Sequence, residues 1–140
     1  MSRYGMSFAR QHIEQGDYEE AILAATKEIE GGSAAPDPWF DRGQANELLE
    51  RFVAAVADFE RAIEIDRASR EMDPFALDDA YFSALLAAAR AEPVAERLAR
   101  LARYRALLPE GAHVAESLDW ERRLRGELPS LLDKTRGVAG

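Results

Sequence analysis

A shift of 34 residues lays this chain on itself. Residues 16–30 read GDYEEAILAATKEIE and residues 50–64 read ERFVAAVADFERAIE. At that offset Tyr18 meets Phe52, Ala21 meets Ala55, Ile22 meets Val56, Lys27 meets Arg61, Ile29 meets Ile63 and Glu30 meets Glu64. Upstream, Ala9 falls against Gly43 and Gly5 against Trp39. Small residues pair with small ones and branched aliphatics with branched aliphatics. A period of this length describes a stack of units, each a supersecondary element that cannot bury its own apolar face.

The pattern inside a unit is helical. Phe52, Val56, Phe59 and Ile63 lie at i, i+4, i+7 and i+11, one stripe of an amphipathic helix. Asp17 with Glu20 predicts a capping box at the start of the helix after Gly16, and Gly31-Gly32 predicts its end. Asp37-Pro38 and Asp73-Pro74 each offer an N-cap followed by proline at the first helical position. Each unit is therefore expected to be two antiparallel helices joined by a short turn.

Residues 39–62 carry Trp39, Gly43, Phe52, Ala55, Phe59 and Ala62, spaced W-x3-G-x8-F-x2-A-x3-F-x2-A. This spacing resembles the tetratricopeptide repeat. Small Gly43, Ala55 and Ala62 let helix backbones approach while Trp39, Phe52 and Phe59 fill the space between them. The resemblance implies an all-α fold, a right-handed superhelix of antiparallel helix pairs, as one domain over residues 1–140. Its units are 2–34, 36–69 and a degenerate third at 74–109, reached by an insertion of about eight residues near Arg67–Asp73. A capping helix at 112–135 follows, carrying Val114, Leu118, Trp120, Leu124 and Leu128, ended or kinked at Pro129, with 136–140 fraying. Departures from the repeat pattern are Arg42 and Asn46, read as a polar seam, a ligand contact or drift, and Arg97, which stands where alanine is expected.

Composition bounds what else the chain can be. Its 140 residues suit one domain and hold no cysteine, which removes disulfides, thiolate nucleophiles and cysteine-based zinc sites. No apolar run reaches the length of a membrane span, and residues 1–14 lack the core of a signal peptide, so a cytoplasmic location is expected. Arginine-dominated basic residues and abundant alanine suggest a bacterial source. Residues 1–80 hold 18 acidic against 8 basic side chains and residues 81–140 hold 8 against 10. The acidic first part disfavours nucleic acid and anionic lipid as partners. His12 and His113 stand far apart without a metal-binding context, and no phosphate-cradling glycine loop is present. Neither catalysis, a cofactor nor a metal is expected.

Binding of another protein remains. The resemblance implies that the first helix of each unit lines a concave face, which maps to Met6, Arg10 and Ile13, then Phe40, Gln44, Glu47 and Leu48, then Phe82, Leu86 and Arg90. Such a face could hold an extended or helical peptide, making the protein an adaptor or scaffold; alternatively Phe40 and Phe82 pack inward beneath the capping helix. Members of that family that clamp a chaperone's terminal carboxylate use lysine, asparagine and arginine at places held here by Met6, Arg10, Asp41, Asp79 and Ser83, of which only Arg10 is cationic. A second surface is basic. Arg97, Arg100 and Arg103 share a helix face at i, i+3 and i+6, as a solvated surface, a dock for an acidic partner or a contact between copies in a homo-oligomer. A chaperone for a secreted or assembly-prone partner is the remaining reading.

Overall fold

The computed structural model describes residues 7–139, with side chains through Gly126. The fold is all-α. Seven helices run in chain order: α1 (Phe8–Glu14), α2 (Tyr18–Glu30), α3 (Asp37–Leu48), α4 (Phe52–Ser69), α5 (Pro74–Ala89), α6 (Val94–Leu107) and α7 (Val114–Ala139). The chain divides into two compact units, Met1–Ala88 and Ala89–Gly140. The imbalance of acidic and basic side chains noted above follows this division, since residues 81–88 carry no charge.

In the first unit the 34-residue period is a period of the backbone. The turn from α1 to α2 passes through Gln15 (φ −89°, ψ −4°), Gly16 (φ 82°) and Asp17 (φ −92°, ψ 69°). The turn from α3 to α4 passes through Leu49 (φ −90°, ψ 7°), Glu50 (φ 60°) and Arg51 (φ −93°, ψ 69°). Their hydrogen bonds correspond one for one. The amides of Gly16 and Glu50 donate to the carbonyls of Ile13 and Glu47, and those of Asp17 and Arg51 donate to His12 and Asn46 at 2.8 Å. This is a Schellman closure, in which a left-handed residue just past the helix lets two amides satisfy its last carbonyls. Gly32 (φ 91°) closes α2 in the same way, with Gly32 donating to Ile29 and Ser33 to Glu28. Gly16 and Gly32 adopt the left-handed region freely, whereas Glu50 does so at a cost.

The predicted caps divide. Asp73 accepts from the amide of Phe75 at 2.9 Å through Oδ1, as an N-cap should. Asp17 makes no side-chain cap, and α3 starts at Asp37 itself, with Pro36 as its N-cap residue. The expected capping box is thus corrected. A capping side chain needs extended backbone, as at Ser7 (ψ 166°), whose Oγ accepts from Arg10 N at 3.1 Å. Asp17, coming out of the left-handed turn at ψ 69°, lacks it.

α3 packs against α1, α2 and α4. Ala9, Ala21, Ala25, Ala45, Ala55, Phe59 and Ala62 are fully buried, so small side chains set the close helix approach and one aromatic fills the gap. A β-carbon on Gly43 would lie 2.7 Å from the Phe59 ring. Phe59 also meets Phe40, ring centroids 5.6 Å apart. Burying a phenylalanine of this kind contributes about 2–3 kcal/mol.

Arg42 and Asn46, the two departures from the repeat pattern, form a polar seam between α3 and α4. Arg42 donates to Asp58 through Nε (3.0 Å) and Nη2 (2.8 Å) and to Thr26 Oγ1 (3.1 Å), while Asn46 Nδ2 donates to the same carboxylate at 3.1 Å. Asp58 is buried. Three donors on its two oxygens replace the water it has lost. The Arg42 guanidinium also lies 5.0 Å from the Trp39 ring centre.

The insertion after α4 has its own closure. Arg70 (φ 51°) ends the helix, and Asp66 Oδ1 accepts from the amides of Glu71 (2.9 Å) and Met72 (3.0 Å). α5 then returns to the unit. Tyr81 Oη donates to Glu60 of α4 at 2.7 Å and Ser83 Oγ to Glu47 of α3 at 3.2 Å.

In the second unit α6 packs on α7, with Leu101, Tyr104, Leu107, Ser117 and Leu124 buried. Tyr104 Oη accepts from His113 N at 3.0 Å, and Arg105 donates to Ser117 Oγ (3.2 Å) and Glu121 Oε1 (2.5 Å). Of the end or kink expected at Pro129, the end is corrected: α7 continues to Ala139. Proline removes one helical hydrogen bond there, and the run Leu131-Leu132-Asp133-Lys134 beyond it carries no further breaker. The side chain of Leu128 and the terminal residue Gly140 lie outside what is described.

Candidate functional site

The predicted binding face lies in the first unit, on α1, α3 and α5. Equivalent residues of α1 and α3 meet there. Ser7 Oγ donates to Asp41 Oδ2 at 3.1 Å across 34 residues, and Arg10 donates to Gln44 Oε1, also across 34. Arg10 Nη2 bonds Asp41 Oδ1 at 2.7 Å as well. Ser83 on Glu47 continues the row to α5. One polar rung therefore ties α1 to α3 and a second ties α3 to α5.

The predicted residues fall into three groups. Phe40 and Phe82 are core side chains, 8% and 3% exposed, so at these two places the apolar strip is internal packing. Arg10, Gln44 and Glu47 are partly covered and hydrogen-bonded along the face. Leu48 is 52% exposed, and Ile13 and Leu86 are partly exposed. Met6 lies outside the described residues. Arg90 follows α5 in the second unit, exposed, its carbonyl accepting from Arg97.

The electrostatics of the face are acidic. Burial pushes the Asp41 carboxyl up despite Arg10 and Ser7, and Asp37 adds to the rise. Burial likewise raises Glu47, whose hydrogen-bond partner Ser83 opposes the shift only with a neutral hydroxyl. Glu28 on α2 is raised by burial and by Asp41 and Asp37. A carboxylate that has lost water without gaining a full cation partner is held at a cost.

The basic residues of α6 are engaged within their own unit. Arg97 donates through Nε to the Glu92 carbonyl at 2.7 Å and through Nη2 to the Arg90 carbonyl at 3.3 Å. Arg100 pairs with the Glu92 carboxylate at 2.5 and 2.7 Å, which holds that carboxyl below its usual range. Arg103 is exposed. His12 is half-buried with Nδ1 enclosed and without a hydrogen-bond partner, and His113 Nδ1 lies 3.2 Å from Glu116 Oε1. Among the described residues, no three His, Asp or Glu side chains converge as a metal ion would require. None of the helices so described is long and apolar enough to cross a membrane.

Sequence reasoning did not single out Asp58, and it named Ser83 only as an ill-suited place of a carboxylate clamp. Asp58 had a signal, an acid at a helix position between Ala55 and Phe59 that faces inward and so needs a donor such as Arg42. Ser83 had none. No protein-family model matches the chain, and no curated protein matches it in sequence.

Proposed function

We propose that this protein is a tetratricopeptide-like adaptor that holds a peptide or helix of another protein on the α1–α3–α5 face, without catalysis. In this reading the helix pairs stack as a right-handed superhelix in the cytoplasm. The observation that carries it is the repetition of one turn and its hydrogen bonds at a 34-residue spacing, with equivalent residues of α1 and α3 side by side. Repeats of this kind line one face with their first helices. That face keeps exposed aliphatic surface at Leu48 among hydrogen-bonded polar groups, the composition of a peptide-binding surface.

The test uses the exposed aliphatics instead of Phe40 and Phe82, whose loss would damage the core. Tagged full-length chain is purified from its own host with the partner it retains. Leu48→Glu with Leu86→Glu is expected to release that partner while the far-ultraviolet circular dichroism stays unchanged. Retention of the partner by the double variant overturns the reading.

A further inference from the structure

We propose that the α1–α3–α5 face takes a segment bearing a cationic side chain next to an aliphatic one, the cation seated on Glu47 and the aliphatic group between Leu48 and Leu86. The inference rests on the adaptor reading and names the chemistry of the partner. Glu47 is partly covered, and its hydrogen-bond partner is the Ser83 hydroxyl at 3.2 Å, a neutral donor. Leu48 follows it with 52% of its surface open, and Leu86 lies one turn beyond Ser83 on α5. Arg10, the cation of the predicted face on α1, is already held between Asp41 and Gln44. Its charge is therefore spent one rung away from Glu47.

Charge on the wider unit points the same way. Residues 1–88 hold 18 acidic against 8 basic side chains. Arg42, Arg51 and Arg61 have carboxylate partners of their own in Asp58, Glu19 and Glu64. The raised carboxyls of Asp41 and Glu47 are consistent with a face short of positive charge. An arginine or lysine placed on Glu47 restores the interaction that burial removed, and the adjacent leucines cover its aliphatic stem. An acidic segment meets repulsion at the same place, so the face discriminates by charge as well as by shape.

The experiment measures fluorescence anisotropy of labelled, end-capped peptides with the full-length chain. Three peptides share one leucine pattern and carry arginine, glutamine or glutamate at the intervening positions, and oligolysine without leucine serves as a fourth. The arginine peptide is expected to bind at least tenfold more tightly than the glutamine one, with the glutamate peptide weakest. Glu47→Gln should remove most of that preference, and Glu47→Arg should reverse it toward the glutamate peptide. Equal binding of the arginine and glutamine peptides, or of oligolysine, overturns the inference, as does a preference that survives Glu47→Gln. The adaptor reading fails separately: a host partner lost with Leu48→Glu and Leu86→Glu but kept with Glu47→Gln defeats only the charge inference, and a partner kept by all three defeats both.

Discussion

The turn between α3 and α4 and the turn between α5 and α6 do the same task with different chemistry. In the first, the left-handed residue Glu50 brings the amides of Glu50 and Arg51 onto the carbonyls of Glu47 and Asn46, so the main chain closes α3 by itself. In the second, Glu92 still donates to Ala89, but the next residue is Pro93, which has no amide hydrogen to give. The Arg97 side chain ties this turn at two other carbonyls, reaching back to those of Arg90 and Glu92. The position after each turn records the consequence. Where the backbone is self-sufficient, Ala21 and Ala55 are small and fully buried, and the helices close on them. Where it is not, that position holds a long donor that must remain partly exposed.

Exchanging the two solutions breaks the comparison most strongly. Ala55→Arg puts a charged chain where no space exists and is expected to cost about 4 kcal/mol or more, enough to unfold a marginal domain. Arg97→Ala places there the residue that follows the turns of the first unit, Ala21 and Ala55, yet removes two hydrogen bonds, and should destabilise by about 1–2 kcal/mol. Urea titration followed by circular dichroism reads both, and a neutral or stabilised Arg97→Ala would show that the carbonyls need no donor. A smaller effect of opposite sign follows from the strained turn. Glu50→Gly relieves a left-handed glutamate and should stabilise by about 1 kcal/mol, seen as a higher midpoint at unchanged slope.

The smallest effect separates the units by pH. Glu28, Asp41 and Glu47 of the first unit have raised carboxyl pKa values in the fold, mainly through burial. They bind protons more readily folded than unfolded, so their unit gains stability as pH falls from neutrality through those raised values toward the ordinary carboxylate value of about 4. Glu92 and Glu121 of the second unit are lowered, by hydrogen bonds from Arg100 and Arg105. Their contribution is complete above about pH 4 and is lost only as pH falls below it. The exposed Glu19–Arg51 pair of the first unit follows this second pattern, weakened by solvent. Amide exchange corrected for intrinsic rates should therefore show protection rising in α3 as pH falls from 7 toward 4 while α6 stays level. Parallel behaviour of both helices would remove the distinction.

Much of the helical architecture was legible because its signals are local or periodic. Phe52, Val56, Phe59 and Ile63 announce α4, and the 34-residue offset places the two turns of the first unit. Asp73-Pro74 marks the start of α5. What escaped depends on neighbours that are remote in sequence. Whether Arg42 is drift or seam turns on Asp58, sixteen residues away on another helix. Whether Phe40 faces a groove or the core turns on the packing of its ring on Phe59. The capping role of Asp17 failed through a ψ value inherited from the preceding residue, which composition does not carry. At the candidate site the division of the residues into packed, bonded and exposed was not legible, because it depends on neighbours across the fold.

The matched turns at Gln15–Asp17 and Leu49–Arg51 also make the chain modular at its joints. Gln15, just before Gly16, and Leu49 share one backbone conformation, so a second copy of Gly16 to Leu49 spliced after Leu49 would meet its neighbours through a junction the protein already uses twice. Length is then adjustable in whole 34-residue steps, and the extent of the proposed binding face with it.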